Sequence, residues 1–410
     1  MRRRSTELQP GALPPHIVKL QEERRRKILE DAAKREADAN NATNNDTNDT
    51  NTTNVPIQKK TSFLDQAASN SSTSSGEIKT NTTSSSTASS TSSKSTLTPI
   101  TFQIGFHEDQ GVRFSMEDAH SIETQLDKLK AVQEMNVDNS NASLRLATHD
   151  SAFFGVYDGH GGSQAAEYCC EHLPFALVDT IVAKTKDDLN HNNNKTSSSS
   201  STINSDQIII DSFVSAFQNI DTKFLKHCWD NGIPNVGTTV TTVLIHNGII
   251  YCGNAGDSRT VLCRNGKAMN LSHDHKPTDA NEEMRVRQVG GFVVMGRVMG
   301  KLAVSRAIGD SQFKRKGSRM MTEFSITGPL VVPDPDVTCT PLRPNEDQFV
   351  ILACDGLWDV TTSQEAVTSV CNGLASGKSV KEVSEDLVNN ALKGGSRDNV
   401  TAMVVQFVPR

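Results

Sequence analysis

Residues 41–100 contain 8 Asn, 14 Thr and 14 Ser, so 36 of these 60 positions are small and polar. Such a stretch cannot bury enough apolar surface to offset the entropy of ordering its backbone. It is expected to be disordered. It also explains why hydrophobic residues reach only 35% and aromatics 5% of the 410-residue chain. The foldable part begins near Thr101 and spans about 300 residues, enough for one large core. Ahead of the tract, residues 1–40 read as a charged, helix-like extension. Glu22/Arg26, Glu23/Lys27, Glu30/Lys34 and Asp31/Arg35 are i,i+4 pairs in the favourable orientation. That segment suits a solvated helix, a docking helix or, through Arg24–Lys27, a nuclear-import signal.

Composition excludes several classes. No run of 18 apolar residues occurs, so no membrane partner is expected. Met1-Arg-Arg-Arg is followed by no apolar region of a secretory signal, and Arg2 does not suit N-myristoylation. Eight cysteines without a Cys-x-x-Cys pair read as reduced thiols of a cytoplasmic or nuclear protein. The net charge is −6, and residues 1–40 carry ten Lys/Arg against seven Asp/Glu. The remainder is therefore near −9, which speaks against a nucleic-acid partner.

The rest of the chain mixes hairpins with separated helices. Thr239–Ile245, the turn Asn247-Gly248, Ile249–Cys252, Arg259–Cys263 and the turn Asn265-Gly266 read as an antiparallel meander. Phe349–Cys354 and Val400–Val405 are apolar enough for strands buried on both faces. Helical patterns cover about 163–184, 206–230, 279–289, 363–375 and 378–392, with polar inserts near 125–150 and 184–206. These elements predict an α+β fold with sheet packed on sheet and helices outside.

Chemistry is expected where apolar strands end in Asp-Gly. Phe153–Tyr157 runs into Asp158-Gly159-His160, and Phe349–Cys354 runs into Asp355-Gly356, with Asp359 close behind. Asp398 precedes the last strand, Glu117-Asp118 follows Arg113, and Asp257 lies between two hairpin strands. Any single Asp-Gly reads as a turn. Several carboxylates brought together would raise one another's pKa, and a hard divalent cation would remove that penalty. No His/Cys set has zinc spacing.

The string FFGVYDGHGG resembles the signature of the metal-dependent protein phosphatases, the protein phosphatase 2C (PPM) family. VRFSMEDAH, GNAGDSRTVL, HDHKP, KLAVSRAIGD, ILACDGLWDV and GGSRDNVTAMVV resemble that family's other motifs, in its order, across residues 103–408. The resemblance implies an αββα sandwich of two antiparallel sheets flanked by helices, occupying residues 101–410. It implies a monomeric protein serine/threonine phosphatase that acts on phosphorylated protein substrates. Its nucleophile is a water activated by two Mg²⁺ or Mn²⁺ ions. By the same resemblance, Asp158 bridges the metals, Gly159 offers its carbonyl, and Asp355 and Asp398 hold the other ion. Glu117 and Asp118 border the pair, and Asp257 and Asp359 form a weaker third metal site. Arg113 matches the phosphate-binding arginine and His160 the general acid.

Arg306 and Asp310 read as supporting residues, with Arg306 suited to a carboxylate partner or a second phosphate contact. Residues 311–331, with Lys314, Arg315, Lys316 and Arg319, correspond to the family's variable flap. The family usually places Asn before Gly300, where this chain has Met299, which bears on flap packing rather than on the metals. The alternative reading, a catalytically silent phosphatase-fold binding module, is opposed by the retained Asp158, Asp355, Asp398 and Arg113. If the polar tract only tethers, a chain starting near Thr98 keeps full phosphatase activity. A loss or gain of turnover in that truncation would overturn the tether.

Overall fold

The computed structural model describes residues 100–126, 151–193 and 205–409. The charged extension, the Asn/Ser/Thr tract and most of the 125–150 insert lie outside the described residues. Strands β1 (Ile100–Asp109) and β2 (Ala119–Glu123) flank the loop that carries Arg113, Glu117 and Asp118. Strand β3 (Ala152–Tyr157) leads through Asp158 into the two-residue β4 (Gly159–His160). Helices α1 (Gln164–Asn193) and α2 (Ser205–Asn231) follow. Next come β5 (Gly237–Thr238), β6 (Val240–His246), β7 (Ile249–Ala255), β8 (Arg259–Arg264) and β9 (Lys267–Asn270). Helix α3 (Ala280–Gln288) leads to β10 (Val293–Val294), β11 (Arg297–Val298) and β12 (Ile308–Gly309). Short helices α4 (Ser311–Lys314) and α5 (Arg319–Glu323) precede β13 (Asp336–Pro341) and β14 (Asp347–Ala353). Helices α6 (Asp355–Trp358), α7 (Ser363–Ala375) and α8 (Val380–Lys393) then lead to β15 (Val400–Pro409).

Two five-stranded antiparallel sheets result, in the orders β1-β15-β14-β8-β9 and β13-β7-β6-β3-β2. The period-2 alternation of each strand decides which layer a side chain enters. Along β3, Phe154 and Val156 join Val243, Cys252, Leu262, Leu352 and Met403 in the layer between the sheets. Their neighbours Phe153 and Tyr157 turn outward, to a core shared with Leu173, Ile181, Phe213 and Phe224 of α1 and α2. Along β14, Val350 and Leu352 face the other sheet, while Phe349 and Ile351 pack with Val370, Val383 and Leu387 of α7 and α8. The αββα sandwich is thus present, and the dense apolar runs are dense because both faces are covered. No helix among the described residues is long and apolar enough to cross a membrane.

Local signals account for the turns and helix starts. Asn247 and Asn265 adopt φ of 50° and 52°, and the following Gly248 and Gly266 adopt 71° and 72°. Positive φ at both central residues is what a type I′ hairpin turn requires. Thr362 and Ser379 form capping boxes with Glu365 and Glu382, which set where α7 and α8 begin. One boundary departs from expectation. Helix α1 continues to Asn193, so the first ten residues of the 184–206 insert are helical. Thr185 is buried in this extension and its hydroxyl donates to the Ile181 carbonyl at 2.7 Å. Residues 184–193 contain no Gly or Pro to end the helix, and extending an existing helix costs little.

A smaller module carries its own core of Val286, Val298, Met299, Phe313, Met321 and Leu330. Met299 is buried there at φ 52°. An asparagine would accept this left-handed backbone more readily, so burial of the methionine side chain offsets local strain. At the module's base Arg306 is committed to structure. Its guanidinium donates to Glu282 at 2.7 and 3.0 Å and to Asp336 at 2.8 Å, while Arg285 donates to the other Glu282 oxygen at 3.0 Å.

Burial alone would raise the Glu282 carboxyl, but Arg306 and Arg285 outweigh it and hold it at about 2. A depressed carboxylate adds stability that is full above its unfolded value of 4.5 and is lost as pH falls towards about 2. Urea unfolding across this window should show a steep loss in the parent protein and a shallower one in Glu282→Gln. At neutral pH, Arg306→Ala should cost about 2 kcal/mol by leaving a buried carboxylate under-paired.

Candidate metal centre

Asp359 caps the short helix α6, and the other acids of the site stand within two positions of a strand. Asp118 precedes β2, Asp158 follows β3, Asp257 lies between β7 and β8, Asp355 follows β14 and Asp398 precedes β15. Strand pairing therefore fixes their backbones. An open cleft of about 620 Å³ is lined by Asp158, Gly159, Asp257, Asp355, Asp359 and Asp398, with Arg113 and His160 beside them. Asp118 lies deeper, with a ligand oxygen within 4.8 Å of ligand atoms on Asp158 and Cys354.

These carboxylates are under strong electrostatic stress. Burial and the charges of Asp355, Asp118, Asp257 and Asp398 push Asp158 well above its ordinary range. Burial, partly countered by Thr401, raises Asp118 to about 7, and burial with Asp355 raises Asp257 to about 7. Burial with Asp359 and Asp398 raises Asp355 to about 6. Asp118 accepts a 2.7 Å hydrogen bond from Thr401 at Oδ2, but its buried Oδ1 has no hydrogen-bond partner. A buried carboxylate oxygen left without a donor costs free energy that a cation would recover. The donor set is nearly all oxygen, which suits a hard divalent ion, so the residues fit a metal centre.

Supporting contacts fix the frame. Gly159 sits so close to the 117 backbone that a Cβ would fall 2.3 Å from the Glu117 carbonyl oxygen. Glu117 accepts from Ser115 Oγ at 2.8 Å and from the Gly162 amide at 3.1 Å. Asn399 accepts from the Glu117 amide at 2.9 Å and donates to the carbonyls of Gln110 and Ser115 at 2.8 and 2.9 Å. One buried amide therefore ties the Arg113 loop to the start of β15.

Two cations answer part of the negative charge. Arg113 is ion-paired with Asp398. Lys276 lies 3.3 Å from Asp359 and 3.7 Å from Asp257, between the two acids expected to form a third metal site. Neither pairing was legible, although Lys276 stands within the HDHKP string. Asn399 and Thr401 were also missed as supports, although both lie in GGSRDNVTAMVV. His160 borders the cleft, and its Nε2 lies 2.8 Å from Asp310 Oδ2. Burial depresses this imidazole, but the Asp310 charge and hydrogen bond, aided by Asp257 and Glu117, outweigh that and raise it.

The described fold and this oxygen-rich cleft define a two-sheet α+β protein with a candidate metal site. Residues 102–400 match the family model described as Protein phosphatase 2C. The chain is 37% identical over 321 residues to "Probable protein phosphatase 2C 22" of Arabidopsis thaliana, covering 78% of this chain and 71% of that protein. It is 36% identical over 310 residues to "Protein phosphatase 2C homolog 2" of Schizosaccharomyces pombe, covering 74% and 72%. Its fold is similar to a serine-threonine phosphatase 2C from Toxoplasma gondii at a TM-score of 0.56 and 22% identity, covering 76% and 98%. The chain belongs to the protein phosphatase 2C family.

The stress on the cluster has a thermal signature. In chelator, Asp158→Asn should melt higher than the parent, because it removes a half-buried charge that its neighbours oppose. Added Mn²⁺ should raise the parent's melting temperature and leave the variant's nearly unchanged.

Proposed function

We propose that this protein is a metal-dependent serine/threonine phosphatase that hydrolyses phosphoserine and phosphothreonine in protein substrates. The observation that carries the reading is the cluster of buried and half-buried, mutually repelling carboxylates near the strand ends, joined by an arginine and a histidine at one cleft. We assign two Mg²⁺ or Mn²⁺ ions to it, held by Asp158, the Gly159 carbonyl, Asp355 and Asp398, with Glu117 and Asp118 at the border. When bound, such a pair lowers the pKa of a water and neutralises charge in an in-line displacement.

The remaining steps belong to the chain's own groups. Arg113 binds the phosphate oxygens through its planar fork, which a lysine could not match. To do so it turns from Asp398, whose charge a cation then answers. His160 protonates the departing seryl or threonyl oxygen. Asp257 and Asp359 form the weaker third metal site, where Lys276 competes for the same carboxylates. Nothing favours the silent binding module, since each acidic position of the family motifs is filled. The assignment of residues 101–410 as the catalytic domain, a monomeric state, and the absence of nucleic-acid and membrane partners belong to the same proposal. Eight free cysteines support a cytoplasmic or nuclear location.

The test is phosphate release from a phosphothreonine peptide with Mn²⁺, Mg²⁺ or EDTA. Turnover is expected with either metal and none with EDTA. Asp355→Asn should reduce kcat at least ~100-fold. Arg113→Ala should raise KM at least ~10-fold through loss of charged hydrogen bonds. Folded protein without turnover under any metal would reject the enzyme and favour the silent module.

A further inference from the structure

We infer that Asp310 is a positioning residue for catalysis: it holds Nε2 of His160 and thereby presents Nδ1 to the leaving oxygen. The inference rests on the reading of His160 as the general acid.

Asp310 is fully buried, in the single residue between β12 and α4. Its Oδ2 meets His160 Nε2 at 2.8 Å, while its Oδ1 has no hydrogen-bond partner. A buried carboxylate with one oxygen unanswered is a poor structural device, because a neutral residue would fill the space at lower cost. The surrounding backbone is built to hold it there. The three-stranded sheet β12-β5-β4 sets Gly237 opposite both Gly309 and His160. A Cβ at Gly237 would lie 2.4 Å from Asp310 Oδ2 and 2.5 Å from His160 Nε2, so only glycine leaves room for the contact. Asp310 itself adopts φ 54°, a left-handed conformation that Asp and Asn tolerate better than most residues. Its amide donates to Val236 at 2.8 Å, and its carbonyl accepts from Phe313 at 2.9 Å. The preceding Gly309 amide donates to buried Asp221 at 2.7 Å, and Lys314 donates to the same Asp221 oxygen at 2.6 Å.

With Nε2 committed to Asp310, Nδ1 is the ring nitrogen that serves the cleft. A buried carboxylate that fixes one imidazole nitrogen sets both ring orientation and proton position, as in hydrolase triads. In the reaction, the attacking water oxygen forms the new bond to phosphorus and its proton passes to solvent. The bond from phosphorus to the seryl or threonyl oxygen breaks, and the Nδ1 proton goes to that oxygen, so the alcohol leaves neutral. The imidazole regains its proton from solvent.

The experiment uses the full chain with Mn²⁺ and compares Asp310→Asn, His160→Ala and the double variant. Each is assayed on a phosphothreonine peptide, whose alkoxide needs a proton to leave, and on 4-nitrophenyl phosphate, whose phenolate does not. Asp310→Asn should reduce kcat on the peptide ~100-fold, with a fall of at most about fivefold on 4-nitrophenyl phosphate and KM within about twofold. The double variant should be no slower on the peptide than His160→Ala alone, because both act through one step. Equal losses on the two substrates, or multiplying losses in the double variant, would make Asp310 a structural carboxylate and overturn the inference. Peptide turnover untouched by His160→Ala would instead overturn the general-acid reading, and this inference with it. Asparagine tolerates the φ 54° backbone. Should its melting curve nonetheless show misfolding, Asp310→Ser is judged by the same substrate ratio.

Discussion

Mutual repulsion among buried and half-buried carboxylates is the constraint around which this molecule is organised. Asp118, Asp158, Asp257 and Asp355 all have raised carboxyl groups, with burial as the first cause and one another's charge as a further one. They cannot relax apart, because each is anchored at a strand end. Those strands are locked by the layer between the sheets, where Phe154, Val350, Leu352 and Met403 interdigitate without access to water. The hydrophobic core thus does mechanical work on the charges, and counter-charge must come from elsewhere. Arg113 and Lys276 supply part of it within the chain. A bound metal ion would supply what remains.

The second requirement is close backbone approach. The cleft is assembled from segments distant in sequence, and glycine makes their contact possible. At Gly356 a Cβ would lie 2.0 Å from the Asn399 carbonyl oxygen, so α6 could not sit against β15 with any larger residue. Asn399 then carries the join onward to the Arg113 loop through its side chain. The site is therefore a set of backbone contacts first and a set of acids second. This is why supports such as Asn399 and Thr401 matter to the geometry without touching the cleft.

Much of this was legible in the sequence, for identifiable reasons. Asn-Gly between apolar runs has one comfortable geometry, and both hairpins adopt it. Apolar strands ending in Asp-Gly marked the acids, because a carboxylate beside a covered strand needs a reason to be there. The family motifs then grouped acids whose spacing alone did not show that they meet. What stayed hidden were pairings set by tertiary register. Thr401 meets Asp118 across 283 positions because the loop after β1 folds back onto the start of β15, where Asn399 holds it. Lys276 and Arg306 were visible as cations, but a cation's partner depends on which loops fold back beside it. The extension of α1 was hidden for a different reason. Polar composition suggested a loop, while the absence of a stop signal and one buried threonine kept the helix going.

The same physics separates an enzyme from a silent scaffold. Isosteric amides at Asp118, Asp158 and Asp355 would preserve the shapes and most hydrogen bonds while removing the repulsion. A fold kept only for its surface would be more stable that way, since unanswered buried charges cost far more than neutral polar groups. This chain instead retains carboxylates with raised pKa and an orphaned oxygen on Asp118. It also leaves the cleft open towards solvent beside Arg113 and His160. Sustained electrostatic strain beside an exposed arginine and a histidine held by a buried acid is what cation-assisted phosphoryl chemistry requires. A scaffold has no use for it.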